Sequence, residues 1–226
     1  MGEKPVFTNY TPILCPKAPI SKVFAMSHTL IIQPVTVDEI PAITQLWYTA
    51  FNIPINLRMF PDTPGVRAWW NEANRHDVLD NPRRKLLKVV DPSTPDQIIA
   101  YAKWDLDPSE SGARFPPWHE ESDRETCERL FTSLGEKRRA FLGHRKHFYL
   151  DMLVTHPEYR GRGAASLLVK WGCDLADEEG VPAYLDAHED AALFYRKFGF
   201  QNCYDQGVTA DGALPMIREP QQQAVN

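Results

Sequence analysis

Between Leu150 and Ala165 the chain reads Leu-Asp-Met-Leu-Val-Thr-His-Pro-Glu-Tyr-Arg-Gly-Arg-Gly-Ala-Ala. An apolar strand runs into a Gly/Arg turn, and the turn opens directly into an amphipathic helix whose buried face is read as Ala164, Leu168, Trp171 and Leu175. No other segment constrains the fold so tightly. The first N–H groups of a helix have no partner within it and carry about half a positive charge. Small residues there let the backbone approach an anion, and Arg160 and Arg162 add full charges. Such a bend is built to hold a phosphate group. The plainer alternative is a glycine turn joining strand to helix, with two solvated arginines.

The rest of the chain supports a single α/β domain. Its 226 residues fall within the single-domain range, and 43% apolar with 24% charged residues is enough for a true core. A net charge of −5 argues against a general nucleic-acid binder or a polybasic membrane binder. Apolar runs such as Leu30 to Ile32 stay well short of the roughly 18–20 residues that cross a bilayer. There is no basic region followed by an apolar stretch at the start, so no signal peptide is expected. Cys15, Cys127, Cys173 and Cys203 form no C-x-x-C pair and read as reduced thiols; the histidines show no metal-ligand spacing. The expected compartment is the cytoplasm, with the nucleus also open, and the expected metal content is none.

Residues 1–27 hold four prolines and no periodicity, and read as an extended or disordered arm, with the domain over 28–220 and a tail over 221–226. A strand is expected over Leu30 to Val35. A helix follows, with Asp38 preferred to Thr36 as its cap because Pro41 then falls in the first turn. Its apolar face is Ile40, Ile43, Leu46, Trp47 and Ala50. Asn52 to Asp62 reads as an irregular apolar loop, and Thr63-Pro64 starts a second helix carrying Val66, Trp69, Trp70 and Ala73. Strands over Arg83 to Val90 and Gln97 to Trp104 make a hairpin across Asp91 to Pro95. Residues 105–146 are an insert, with a surface helix marked by Cys127, Leu130, Phe131 and Leu134. Beyond it come a strand (His147 to Val154), a helix (Gly163 to Glu179), a short strand (Ala183 to Ala187) and a helix from Asp190 stopped by Gly199. Phe200 to Tyr204 and Pro215 to Arg218 finish as edge strands. The expected order is β-α-α-β-β-(insert)-β-α-β-α-β-β around one mixed sheet.

Arg160-Gly161-Arg162-Gly163-Ala164-Ala165 resembles the acetyl-CoA signature R/Q-x-x-G-x-G/A of the GNAT N-acyltransferase superfamily. Ala191-Ala192-Leu193-Phe194-Tyr195-Arg196-Lys197-Phe198-Gly199-Phe200 is similar to the family's helix ending A-x-x-(L/F)-Y-x-x-x-G-F. The element order agrees across about residues 29–218, with the closest flavour a fungal-type member. The resemblance implies the GNAT fold and acetyl-CoA as cosubstrate, without a metal. The pantetheine would lie along Leu153, Val154 and Thr155, and the pyrophosphate on the amides of Gly161, Arg162, Gly163, Ala164 and Ala165 beside Arg160. It further implies a bulge that opens a gap against the next strand, with the Leu153 N–H polarising the thioester carbonyl. The partner is then a primary amine of a small molecule or peptide, which attacks the thioester directly in a ternary complex; the expected state is a monomer or homodimer. A catalytically inactive acyl-CoA-binding sensor of the same fold is the alternative.

Such a transfer needs a base for the amine and an acid for the leaving thiolate. Tyr195 stands where the family places its acid; read blandly it is a core tyrosine with a bonded hydroxyl. Asp151 is an acidic residue in an apolar strand, where burial would raise its pKa, unless an arginine or a backbone N–H pairs with it. Strand alternation groups Tyr149, Asp151 and Leu153 against Phe148, Leu150, Met152 and Val154. His188 ends the strand Ala183 to Ala187 and either relays a proton or caps the next helix. An apolar acceptor pocket is expected from Phe51, Phe60, Trp69 and Trp70, with Tyr149 beside it.

Overall fold

The computed structural model describes residues 29–108, 113–204 and 212–221. The expected N-terminal arm over 1–27 and the tail from residue 222 lie outside the described residues. Seven strands form one sheet in the order β1-β2-β3-β4-β5-β7-β6. They are β1 (Ile31–Pro34), β2 (Arg84–Asp91), β3 (Thr94–Asp105), β4 (Phe148–Thr155), β5 (Ala183–His188), β6 (Gln201–Asn202) and β7 (Ala213–Arg218). The helices are α1 (Ile40–Ala50), α2 (Pro54–Met59), α3 (Pro64–Asp80), α4 (Arg124–Leu142), α5 (Ala164–Glu179) and α6 (Ala192–Arg196). Only β4 and β5 run parallel among the described neighbours; the other pairs are antiparallel. The expected mixed α/β class and element order hold, with one addition.

That addition is α2. Its segment was expected to be irregular, but Pro54 sits in the first turn after extended Ile53, a position where the missing proline N–H costs nothing. Ahead of α1, the carboxylate of Glu39 accepts from the Thr36 N–H (2.9 Å) and hydroxyl (3.0 Å). The Thr36–Glu39 spacing therefore closes the entry turn, and Asp38 is not the cap. The β2–β3 hairpin is tighter than expected. Asp91 already pairs with Thr94, because the Asp91 carboxylate accepts the Ser93 N–H at 2.8 Å and folds the turn onto itself. β7 lies inside the sheet between β5 and β6, so the expectation of two edge strands at the C-terminus is corrected; of the two, β6 is at an edge and β7 is not.

Two apolar layers sandwich the sheet. On one face α5 buries Ala164, Leu168, Val169, Gly172, Cys173 and Ala176, whereas Trp171 and Leu175 are only half-buried, a shift of the expected face. Gly172 makes this packing possible. A Cβ there would fall 2.2 Å from the Trp104 ring, and the Trp104 indole N–H donates to the Leu168 carbonyl at 3.1 Å. At the far end of α5, the Arg218 guanidinium binds both Asp177 carboxylate oxygens at 2.6 Å, and the Gln221 N–H donates to one of them at 2.6 Å.

On the opposite face lie α1 and α3. The α3 stripe runs Val66, Trp70, Ala73, Asn74, Asp77, turning polar as it approaches the sheet's end. Asp77 is met there by Arg84 (2.5 Å) and Lys103 (2.7 Å). The insert packs against this face. Cys127 is fully buried, so α4 is more deeply seated than a surface helix. Cys127, Cys173 and Cys203 are free thiols, and no helix among the described residues is long and apolar enough to cross a membrane.

Gly172→Ala forces a methyl into the Trp104 ring. It should lower unfolding stability by about 1–3 kcal/mol through overpacking, read as a lower midpoint in a urea melt at unchanged m-value.

Candidate active site

β4 delivers the chain to the bend. Past Thr155, the His156 N–H donates to the Ile99 carbonyl (2.9 Å) and the Tyr159 hydroxyl to Gln97 Oε1 (2.7 Å), which ties the turn to β3. Gly161 and Gly163 follow with φ of +79° and +91°, and nothing lies within 4 Å of where a Cβ would sit on either. Gly163 is the N-cap of α5, so no side chain closes its first turn, and that turn holds no acidic residue. The amides of a 16-residue helix are thus left facing open space.

That space is a cleft of about 550 Å³. Arg160, Gly161 and Gly163 to Ser166 form one wall, Leu153 and Thr155 the floor, Ala191, Phe194, Tyr195 and Lys197 the second wall, and Phe51 stands at the rim. Of the expected binding residues, Arg162 turns away. Its guanidinium lies 4.6 Å over the Tyr159 ring, and it donates to the Glu158 carbonyl at 3.3 Å. The Val154 side chain is buried on the other face of the sheet, against α1 and α3. The amides and cations fit a diphosphate: the wall is concave, open and free of competing carboxylates.

Beside the floor the sheet opens. β4 pairs with β5 only across Phe148–Ala183, Tyr149–Tyr184 and Leu150–Leu185. On its other side, β4 shifts register against β3, with Lys103 opposite Met152 but Trp104 opposite Leu150, which leaves Asp151 as an extra residue. The expected alternation fails at this bulge. Phe148, Leu150 and Leu153 share the α5 side, while Met152 and Val154 pack toward α1 and α3. The bulge and the diverging strands are the gap that the sequence resemblance implied.

Tyr195 walls the cleft on the α5 side, and burial pushes its phenol up to about 12. Asp151 points the other way and meets Arg114 from the insert, with Lys103 at 3.7 Å. Burial works to raise its pKa, but Arg114, Lys103 and Arg84 outweigh it and hold the carboxyl below the ordinary range. The expected rise is corrected: Asp151 is the ion-paired carboxylate of the bland reading. His188 is exposed. Its Nδ1 accepts the Asp190 N–H at 3.4 Å, capping the turn that precedes α6, and it does not line the cleft.

Comparison with known proteins agrees with this geometry. Residues 104–200 match the model of the acetyltransferase (GNAT) family. Across that stretch the chain is similar to the GNAT superfamily. It is similar to the probable acyltransferase SID5 of Ajellomyces capsulatus, 31% identical over 84 residues, which is 37% of this chain and 56% of the relative. It is also similar to the uncharacterized N-acetyltransferase YafP of Escherichia coli, 38% identical over 73 residues, 32% of this chain and 45% of that one. The chain thus spans about half the length of these curated relatives. A solved structure described as histone acetyltransferase HPA2 and related acetyltransferase, from Corynebacterium glutamicum, superposes with a TM-score of 0.56 at 21% identity. It covers 87% of this chain and 99% of its own, and it shows the shared fold.

The expected aromatic pocket is filled. Phe60 and Trp70 are buried with ring centroids 5.0 Å apart, and Trp69 stacks on Phe60 at 5.9 Å. Phe115, Trp118 and Phe131 of the insert complete the cluster, with Phe115 and Phe131 4.8 Å apart. These rings are core, and of the expected set only Phe51 reaches the cleft. Tyr149 is buried, lies under the Arg138 guanidinium at 4.2 Å, and donates to Asp186 Oδ2 at 3.2 Å. Sequence reasoning overlooked Asp186 and Arg114. Asp186 carried the same signal as Asp151, an acidic residue in an otherwise apolar strand; Arg114 lies in an insert without periodicity and gave none.

Asp151→Asn leaves Arg114 and Lys103 facing a neutral amide and should cost about 3–5 kcal/mol of stability at neutral pH. Because the folded carboxyl is held low, the wild-type advantage is fully present above the unfolded carboxylate pKa. It is lost as pH falls through the lower folded value, so urea melts of the two proteins should converge in acid.

Proposed function

We propose that this chain is an acetyl-CoA-dependent N-acetyltransferase that acts on a primary amine of a small molecule or peptide in a direct ternary complex. The observation that carries the reading is one continuous cleft: uncapped amides of α5 at one end, the Tyr195 phenol on its wall, and a split sheet beside it. The names of the two curated relatives, an acyltransferase and an N-acetyltransferase, support the same chemistry.

In this reading the amides of Gly161 and Gly163 to Ala165, with Arg160 and Lys197, hold the diphosphate of acetyl-CoA. Leu153 and Thr155 carry the pantetheine along the edge of β4 that β5 has left, and the Leu153 N–H is the donor that polarises the thioester carbonyl. No group of three or more potential metal ligands occurs among the described residues. Tyr195 is the acid. With its phenol pushed up to about 12 by burial, it keeps its proton at neutral pH and has it ready for the departing thiolate. The bulge at Asp151 keeps the gap open, and its ion pair makes that residue a positioning group.

Free-thiol release with acetyl-CoA over a panel of phenethylamine, spermidine, lysine methyl ester and an alanine-led hexapeptide tests the activity. Turnover with at least one amine is expected; acetyl-CoA binding with no turnover across the panel would mark a sensor instead. Tyr195→Phe should lower kcat by about 10²–10⁴-fold, the usual range for loss of a general acid, while the calorimetric Kd for CoA stays within about twofold. A wild-type kcat in that variant would remove Tyr195 from the mechanism.

A further inference from the structure

Asp186 sits one residue past the last β4–β5 pair, Leu150–Leu185, and so lies where the strands part. β5 alternates: Ala183, Leu185 and Ala187 face the α5 layer, whereas Tyr184 packs with Tyr149 on the opposite side. The Asp186 carboxylate shares that opposite side. It accepts from the Tyr184 hydroxyl through Oδ1 (3.0 Å) and from the Tyr149 hydroxyl through Oδ2 (3.2 Å). Each oxygen keeps a further lone pair beyond the tyrosine bond it accepts, and the residue as a whole is only partly buried. The Asp186 carboxylate is therefore held by two tyrosine hydroxyls on the sheet face opposite the α5 layer, whereas Tyr195 lines the cleft on the α5 side. Asp151, by contrast, is locked in ion pairs.

We propose that Asp186 is the acceptor-side base: its carboxylate seats the incoming primary amine and takes the proton that the amine nitrogen sheds on acylation. The proposal rests on the acetyltransferase reading above. As the nitrogen attacks, the N–C bond forms and the C–S bond breaks. The thiolate takes the Tyr195 proton, and the nitrogen's proton passes to Asp186. One proton exchanged with water returns Asp186 to carboxylate and Tyr195 to phenol, so the balance closes without a further reagent. Acid and base thus occupy opposite faces of one slot, which lets donor and acceptor enter from different sides.

The surroundings tune the carboxylate. Burial raises the Asp186 pKa; the Tyr184 hydroxyl, Arg114 of the insert, Arg138 of α4 and the Tyr149 hydroxyl pull it back only in part. Cys203, after β6, is a further titratable neighbour; burial, with the Asp186 charge adding to it, pushes that thiol up to about 12. A carboxylate held above its ordinary value is better matched to proton uptake near neutral pH.

The test uses the full chain with acetyl-CoA and the panel amine that gives the highest rate. Asp186→Asn should lower kcat/KM by about 10²-fold or more with the CoA Kd unchanged, and Asp186→Glu should restore part of it. Tyr149→Phe removes a bond that favours the ionised form, so the acidic limb of the kcat/KM profile should move to higher pH. A purely structural role would leave that limb in place. Calorimetry of the same amine into the protein–CoA complex reads seating without chemistry, and Asp186→Asn should weaken it. Wild-type kcat/KM in Asp186→Asn, or an unmoved limb in an active Tyr149→Phe, overturns the proposal. A wild-type protein that binds CoA but acetylates no amine would instead sink the acetyltransferase reading itself.

Discussion

Everything in this molecule turns on two neighbouring strands that cease to pair. β4 and β5 share three residue pairs and then separate, and the cause is local: one extra residue, Asp151, accommodated against β3. A bulge lengthens one strand relative to its partner and increases its twist, so the free edge swings away. An unpaired edge inside a sheet leaves backbone N–H and C=O groups without partners, which is costly unless something else binds them. In the proposed reading that demand is met by an extended ligand, the pantetheine of acetyl-CoA. The bulge is secured by charge. Arg114 reaches its carboxylate from the insert and donates to the Asp151 carbonyl at 3.3 Å, and Lys103 approaches from β3.

The two faces of the sheet have separate tasks. The α5 side carries the uncapped amides, the cleft and Tyr195. The opposite side carries a buried network of Asp77, Arg84, Lys103, Asp151 and Arg114, together with the carboxylate of Asp186 under its two tyrosines. The insert is integral to that second side. It brings Phe115, Trp118 and Phe131 into the aromatic core as well as the arginine at the bulge. Residues 113–142 thus cover the aromatic cluster on that face.

The bend from Arg160 to Ala165 was legible in sequence because its glycines, cations and following amphipathic helix are all local features. So was Tyr195, carried by a motif that ends at a positive-φ glycine, Gly199 at +89°. The parts that failed depend on long-range contact. Strand alternation assumes an unbroken period of two, and the bulge at Asp151 resets it, which put Met152, Leu153 and Val154 on the wrong sides. The tryptophans read as a pocket because nothing local reveals that Phe115 and Phe131, about fifty residues downstream, arrive to fill it. Asp151 and Asp186 give the same signal in one dimension. Only the folded chain shows which of them has cations beside it and which has hydroxyls.

The clasp at the last turn of α5 has a mechanical consequence. A 16-residue helix is a rod about 24 Å long, and its bound end is fixed by three hydrogen bonds to Asp177 from Arg218 and Gln221. A tilt of about 5° there would carry the opposite tip roughly 2 Å, enough to break every hydrogen bond its amides offer. Strand β7 therefore anchors the helix whose far tip carries the uncapped amides, so loosening one carboxylate at the near end would shift those amides while leaving each residue of the bend in place, and on the proposed reading would weaken diphosphate binding.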